Sequence, residues 1–244
     1  APLVAPATRP VPRPIAPPAR PLINFPKPFA LFSDSLEPNT ESMNFGNNVA
    51  NLYAATITIN NSKLVPSTQF SKIANSNVNL CVLHSIKSSY SSDSIFSKFN
   101  VVAIDSTATD SNNNVFFLRK IENDDLEIVS IKYVSSTMAI PNSKKIVRSV
   151  EGVFDYLPIT TLTLPNTYKS VNEDEFSKII GLQTLKVNSK NTNFTAVNGV
   201  LYSLVDGNYN ELICYPNAKK DVEFTVENAK AISSGAFKNV KHLK

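Results

Sequence analysis

Short runs of alternating apolar and polar residues recur along the chain from Thr56 onward. Apolar residues at every second position are typical of a β-strand with one buried face. Many runs are followed by Asn or Pro, which end strands and form turns. We predict a short strand with inward-pointing apolar residues at each of these pairs: Ile57 and Ile59, Val102 and Ile104, Met138 and Ile140, Leu162 and Leu164, Leu185 and Val187, and Phe224 and Val226.

Phenylalanine spacing indicates an internal repeat. The intervals between five of these residues are 26, 58, 22 and 61, a short interval followed by a long one, twice. They are Phe70, Phe96, Phe154, Phe176 and Phe237, and three of them begin the tripeptide Phe-Ser-Lys. We predict a duplicated unit of about 83 residues, with the start of a third, in which stacked strands and turns share one continuous core.

Both long intervals also contain an inserted pair of apolar stretches. The first runs from Val115 to Leu118 and from Leu126 to Ile131, and the second from Val200 to Leu204 and from Leu212 to Tyr215. Asp206, Gly207 and Asn208 supply turn residues between the stretches of the second pair. We therefore predict β-hairpins at about 115–131 and 200–215.

Residues 1–30 differ from the rest in composition. They contain ten of the 16 prolines and four basic residues, Arg9, Arg13, Arg20 and Lys27, with no acidic residue. The remaining chain has 20 basic and 20 acidic side chains, so the whole net charge of +4 lies here. We predict an extended Pro-rich arm that suits an acidic groove, a proline-binding domain or an anionic wall polymer, or else serves as a solvated spacer. Residues 31–55 would form a lead-in or cap segment for repeats spanning 56–244.

Three stretches carry a resemblance to a known family. They are Asn-Gly-Val-Leu-Tyr at 198–202, Leu-Ile-Cys-Tyr-Pro at 212–216 and Ala-Ile-Ser-Ser-Gly-Ala-Phe at 231–237. These motifs resemble BspA-type leucine-rich repeats, clearly over about 140–244 and in degenerate form over 56–139. Gly-Val-Phe at 152–154 and Asp-Glu-Phe at 174–176 depart from the Gly-Ala-Phe of the pattern. The resemblance implies a strand-rich α/β fold, a right-handed solenoid with a parallel sheet on one face, and a longer chain or a partner that closes the C-terminal edge of the repeats.

Outward positions of the predicted parallel sheet lie between the inward ones. All but Lys186 are small and uncharged, and the positions are Thr58, Ala103, Ala139, Thr163, Lys186 and Thr225. Such a row first suits a structural ladder on a pleated surface, and alternatively a binding stripe. The candidate partner-binding residues are Thr58, Thr163, Lys186 and Thr225, together with Arg9, Arg13, Arg20 and Lys27 of the arm.

Candidates for catalysis or metal binding are scarce. We interpret the two histidines, His84 and His242, as surface residues, and the two cysteines, Cys81 and Cys214, as small buried apolar residues. The acidic clusters at 124–125 and 173–175 are interpreted as solvated turns. We predict no catalytic residue, metal or cofactor, and therefore no enzyme. The charge balance of the repeat region disfavours nucleic acid, and no apolar run is long enough for a membrane span.

Two functional classes remain, and proteins are the partners in both. The resemblance implies a surface or secreted protein that adheres to host, matrix or cell-surface proteins, with the arm as a stalk. The alternative is an intracellular, cytoplasmic component of a large assembly, with the Pro-rich arm threaded into a crevice of the complex.

Overall fold

The computed structural model describes residues 31–33, 56–71, 74, 77–179, 181–226 and 229–244. The predicted arm, with Arg9, Arg13, Arg20 and Lys27, lies outside the described residues, as does most of the predicted cap. Strands dominate the described part, which confirms the strand-rich prediction. The strands are β1 (Leu31–Ser33), β2 (Thr56–Ile59), β3 (Asn79–Leu83), β4 (Asn100–Ile104), β5 (Ser106–Thr109), β6 (Val115–Lys120), β7 (Leu126–Lys132), β8 (Thr137–Ala139), β9 (Ile146–Ser149), β10 (Thr161–Leu164), β11 (Thr184–Val187), β12 (Phe194–Val197), β13 (Val200–Val205), β14 (Asn208–Cys214) and β15 (Ala231–Ile232).

Helical structure in the described residues is limited to short pieces. One α-helix, α1, spans Lys87–Ser92, and single 3₁₀ turns lie at Ser67–Phe70, His84–Ile86, Phe96–Lys98 and Glu122–Asp124. In the described part of the chain, no helix combines the length and hydrophobicity needed to cross a lipid bilayer.

The strands form two parallel sheets and two mixed sheets. Strands β1 to β4 pair in parallel in chain order, and β8, β10 and β11 form a second parallel sheet. In one mixed sheet β5, β6 and β7 are antiparallel and β9 pairs in parallel with β7. In the other, β12, β13 and β14 are antiparallel and β15 pairs in parallel with β14. The parallel strands thus form two sheets rather than the single one predicted.

The same order of elements occurs twice along the chain. Three parallel strands, β2 to β4, precede the antiparallel β5 to β7 and then β9, and likewise β8, β10 and β11 precede β12 to β14 and then β15. Corresponding strands begin 81 to 88 residues apart, for example 81 between Thr56 and Thr137 and 85 between Val115 and Val200. Each antiparallel set, which we call a meander, contains the predicted hairpin plus one additional strand, β5 or β12, on its N-terminal side.

The first meander lies between two layers. Along β6, Phe116 and Leu118 belong to the large cluster around Phe154, whereas Phe117 packs with Cys81 and Val102 of the first parallel sheet. Six consecutive residues of β7 are buried, as expected of a strand covered on both faces. The meander therefore covers the outer face of the first parallel sheet.

This arrangement changes the assignment of faces in β4. The register pairs Leu80 with Val101 and Cys81 with Val102. Val101 packs in the inner cluster with Leu80, while Val102 and Ile104 point toward the meander. The prediction that Val102 and Ile104 point inward is therefore wrong by one residue, because both faces of β4 are buried and no polar residue marks the outer one.

The core of the described residues divides into four clusters instead of one continuous stack. Phe70 and Phe96 have ring centroids 5.1 Å apart in one cluster, and Phe154 and Phe176 are 5.7 Å apart in another. Phe237 instead stacks on Tyr215 at 5.6 Å. No strand forms at 224–226, contrary to the prediction. Phe224 and Val226 instead pack in the C-terminal cluster, where the rings of Phe224 and Tyr215 are 4.9 Å apart.

A buried polar pair, Asp110 and Asn114, covers the edge of β8 that does not pair with β10. The outer edge of β8 presents the N–H of Ala139 and the carbonyl of Thr137. Asp110 Oδ2 accepts from the Ala139 N–H at 2.9 Å, and Asn114 Nδ2 donates to the Thr137 carbonyl at 3.1 Å. Asn114 Nδ2 also donates to Asp110 Oδ2. Two side chains thus take the place of a neighbouring strand.

Candidate functional site

The outer face of the second parallel sheet is the open face predicted for a binding stripe. Thr163 pairs in register with Ala139 on one side and with Lys186 on the other, so the three form a row across β8, β10 and β11. Two residues earlier, Thr137, Thr161 and Thr184 form a parallel row. All six are partly or fully exposed. We call these six residues the threonine face.

Of the predicted site residues that the structure describes, only Thr163 and Lys186 lie together. Thr58 is 1% exposed, and its Oγ1 lies 2.7 Å from Ser130 Oγ of the first meander. Ala103 is also buried. The prediction that Thr58 faces a partner is therefore wrong, because the meander covers the outer face of the first sheet. Thr225 is exposed but lies outside any strand, beside Tyr202 and Tyr209 in a cavity of about 290 Å³.

A second concave region was not found by sequence reasoning. It is a cleft of about 370 Å³ lined by residues 171–177 on one side, and on the other by Glu211, 213–214 and 233–235. We call it the acidic cleft. Ser234 Oγ donates to Glu173 Oε1, and Lys238 Nζ forms an ion pair with Asp174 Oδ2. The Glu-Asp-Glu run at 173–175 was the available signal, but only folding brings Glu211 to the same cleft.

Glu175 is buried, in contrast to the solvated turn predicted for it. Tyr168 OH donates to the Glu175 Oε1 atom at 2.7 Å, and Ser149 Oγ donates to the same atom at 2.5 Å. The N–H of Asn172 donates to Glu175 Oε2 at 2.6 Å. Burial raises the pKa of the Glu175 carboxyl, and these hydrogen bonds oppose the rise. This carboxyl group is a structural anchor beneath the cleft.

Asp125 also departs from the prediction of a solvated turn, whereas its neighbour Asp124 is exposed. Lys145 and Lys169 both form ion pairs with Asp125, at 2.6 and 2.7 Å. These two lysines lower the pKa of its carboxyl. Asp125, immediately before β7, therefore connects this strand to the segment before β9, through Lys145, and to the segment after β10, through Lys169.

The cysteines are buried, as the sequence indicates, and carry no disulfide. Burial raises the pKa of both thiols to about 12, so both are protonated at neutral pH and neither is activated as a nucleophile. His84 Nδ1 lies 2.5 Å from Asp105 Oδ1, a contact across 21 residues that local spacing did not reveal. Within the described ranges, no three His, Cys, Asp or Glu side chains are arranged to hold a metal ion.

No protein-family model and no curated protein matches the chain. Among solved structures it is similar to a leucine-rich repeat protein from Eubacterium ventriosum, with 18% identity, a TM-score of 0.42, and coverage of 78% of this chain and 46% of that one. It is also similar to a leucine-rich cell surface protein from Faecalibacterium prausnitzii, with 16% identity, a TM-score of 0.40, and coverage of 77% and 53%. The chain spans about half the length of these two proteins. Both are described as leucine-rich proteins, the class that the motifs at 198–202, 212–216 and 231–237 resemble.

Proposed function

We propose that the chain is a non-enzymatic, protein-binding repeat protein whose partner contacts the threonine face. The observation that supports this proposal is the difference between the two parallel sheets. The outer row of the first sheet, which contains Thr58 and Cys81, is buried under a meander. The corresponding row of the second sheet, which contains Thr163 and Lys186, is open to solvent.

The size of the threonine face limits the affinity it can supply. Three strands about 4.8 Å apart with a rise of about 3.3 Å per residue present roughly 200 Å². A stable protein complex buries about 800 Å² on each partner. The partner must therefore also contact neighbouring turns, or bind weakly and rely on several copies for avidity.

We assign this binding to adhesion by a surface or secreted protein, with host, matrix or cell-surface proteins as partners and the basic arm as a stalk. The alternative is a cytoplasmic assembly component whose arm is threaded into a large complex. The two differ in the state of the arm in its native setting. An arm open to proteases there supports the stalk, and an arm that is protected there but open to proteases in the purified chain supports the assembly component.

The exposed strand β15 supports a further partner at the C-terminal edge. Its counterpart in the first unit, β9, is covered by the coil that follows: the Lys169 N–H donates to the Val147 carbonyl, and Thr167 Oγ1 donates to the Ile146 carbonyl, both at 2.7 Å. Val147 is 4% exposed, whereas Ile232 of β15 is 53% exposed. We propose that an additional repeat or a partner protein covers β15.

The proposed function is tested by binding of the purified chain to immobilised extracellular matrix proteins. Thr163→Arg places a long charged side chain on the threonine face and should raise Kd about tenfold, or about 1.4 kcal/mol. Ser91→Arg makes the same addition at an exposed position of α1, in the first unit, and should leave Kd unchanged. Equal binding by both variants, or no binding of any matrix protein by the wild type, would contradict the adhesion proposal.

A further inference from the structure

We propose that the acidic cleft is a binding site for the basic, Pro-rich arm of this protein, residues 1–30, through its arginine and lysine side chains. The cleft is separate from the threonine face, so this inference does not depend on the proposed partner there.

The charge of the cleft favours a cationic ligand. Its lining includes Glu173, Asp174 and Glu211 in addition to the buried Glu175. Lys238 neutralises Asp174. Within the part of the chain that the structure describes, no ion pair reaches Glu173 or Glu211. Two carboxylates of the cleft therefore lack a countercharge.

Unpartnered polar atoms give an independent indication of a ligand. Ser177 lines the cleft and is 3% exposed, and its Oγ has no hydrogen-bond partner among the described residues. Asp174 Oδ1 is likewise buried without a partner there. A buried polar atom without a hydrogen bond is unfavourable. A donor group that enters the cleft and bonds to Ser177 Oγ would remove this penalty.

The Asp174 carboxylate is held in place before any ligand arrives. A Cβ on Gly235 would overlap Asp174 Oδ1, so glycine at this position leaves room for the carboxylate. Lys238 holds the other oxygen, Oδ2. Asp174 is thus fixed in the wall of the cleft, and Glu173 and Glu211 are the carboxylates left for a guanidinium group, which presents five N–H donors in a planar fork.

The arm matches the cleft in charge and in backbone preference. Its four basic residues are unaccompanied by acidic ones, and each is followed directly by proline, at Pro10, Pro14, Pro21 and Pro28. A residue before proline is restricted to extended conformations. Each basic side chain would therefore bind with a smaller loss of backbone entropy than in an unrestricted peptide. A cleft of about 370 Å³ has room for one or two such side chains but not for a folded domain.

The test is a titration of a fluorescently labelled peptide of residues 1–30 with the 244-residue chain, followed by fluorescence anisotropy. Glu173→Gln with Glu211→Gln removes the two uncompensated charges, and should weaken binding at least about tenfold. The matched control, Glu122→Gln with Glu151→Gln, removes two exposed charges outside the cleft and should leave binding unchanged. A peptide with Gln at all four basic positions should not bind.

A second acceptor covers the case in which the protein's own arm occupies the cleft. This acceptor is the 244-residue chain with Arg9→Gln, Arg13→Gln, Arg20→Gln and Lys27→Gln. Peptide binding to the wild type and to this acceptor indicates that the arm reaches a neighbouring copy, and binding to this acceptor alone indicates docking within one molecule. The cleft variant and its control are compared in whichever acceptor binds the peptide. Binding to neither acceptor, or equal binding to the cleft variant and its control in that acceptor, would overturn the inference. Matrix binding by the threonine face should be unaffected by the cleft variant.

Discussion

Phe154 is the residue on which the large core cluster can be tested most directly. Its ring is fully buried and lies 5.7 Å from that of Phe176. Phe154→Ala should lower the free energy of unfolding by about 3–5 kcal/mol, because it removes a buried aromatic ring and leaves a cavity. Val134→Ala, at an exposed position, serves as the control and should change it by less than about 0.5 kcal/mol. Both are measured by urea denaturation, and a loss below about 1 kcal/mol for Phe154→Ala would place the ring outside the core.

Asp125 and Glu175 should contribute to stability with opposite dependence on pH. The pKa of Asp125 is lowered in the folded protein, so its contribution is present at neutral pH and is lost as the pH falls through the folded pKa. The pKa of Glu175 is raised, so its contribution is greatest below the ordinary pKa of glutamate and is lost as the pH rises through the folded pKa.

The comparison uses Asp125→Asn and Glu175→Gln in urea denaturation across the acid range. The stability difference between wild type and Asp125→Asn should shrink as the pH falls below about 4. The wild type should instead lose stability relative to Glu175→Gln as the pH rises above about 4.5. Curves that run parallel to the wild type at all pH values would show that neither pKa differs between the folded and unfolded states.

At the scale of elements, the hydroxyl pair Thr58 and Ser130 tests whether the first meander covers the first parallel sheet. Thr58→Val or Ser130→Ala alone leaves the other buried hydroxyl group without its partner. Each should lower the free energy of unfolding by about 1–3 kcal/mol. The double variant should cost clearly less than the sum of the two, because no polar group remains unpaired. Additive losses in denaturation experiments would mean that the two hydroxyl groups do not interact.

Apolar alternation predicted the inward face correctly where the other face is open. In β10, Leu162 and Leu164 are fully buried and Thr163 between them is partly exposed. In β4 the same pattern selected the wrong face, because the chain is covered on both sides there. The additional strand β5, with the sequence Ser-Thr-Ala-Thr, lacked the large apolar residues that reveal the rest of the meander.

The acidic cleft shows a second limit of sequence reasoning. Glu173, Asp174 and Glu175 are adjacent in sequence, yet Glu173 is exposed, Asp174 is partly buried and Glu175 is buried. Their roles depend on residues far along the chain, such as Lys238, which is 64 positions from Asp174. Composition indicates that such a cluster is charged, but the contacts that decide its environment come from tertiary packing.

At the scale of the whole molecule, corresponding positions in the two units should respond differently to the same change. Val147 in β9 is covered by the next coil, whereas Ile232 in β15 is exposed. Val147→Lys would bury an unpaired charge and should cost more than about 3 kcal/mol. Ile232→Lys should change the free energy of unfolding of the isolated chain by less than about 0.5 kcal/mol. A similar large loss in both variants would show that β15 is already covered.

The phenylalanine spacing predicted the order of elements along the chain but not their arrangement in layers. The pair Phe70 and Phe96 and the pair Phe154 and Phe176 occupy equivalent places in the two units, and the rings of each pair pack at a tilt. The spacing carried no information on the first meander, which packs between the first parallel sheet and the large cluster and so divides the core. Periodicity within a sequence reports which segments are alike, and not which segments insert between them.

The polar pair Asp110 and Asn114 also affects how separate molecules behave toward one another. These side chains occupy the hydrogen-bonding groups on the free edge of β8. An exposed strand edge is a template for pairing with another chain. A molecule without the Asp110 carboxylate would keep most of its buried contacts but would expose the edge of β8 to neighbouring molecules. Its first defect would be concentration-dependent aggregation.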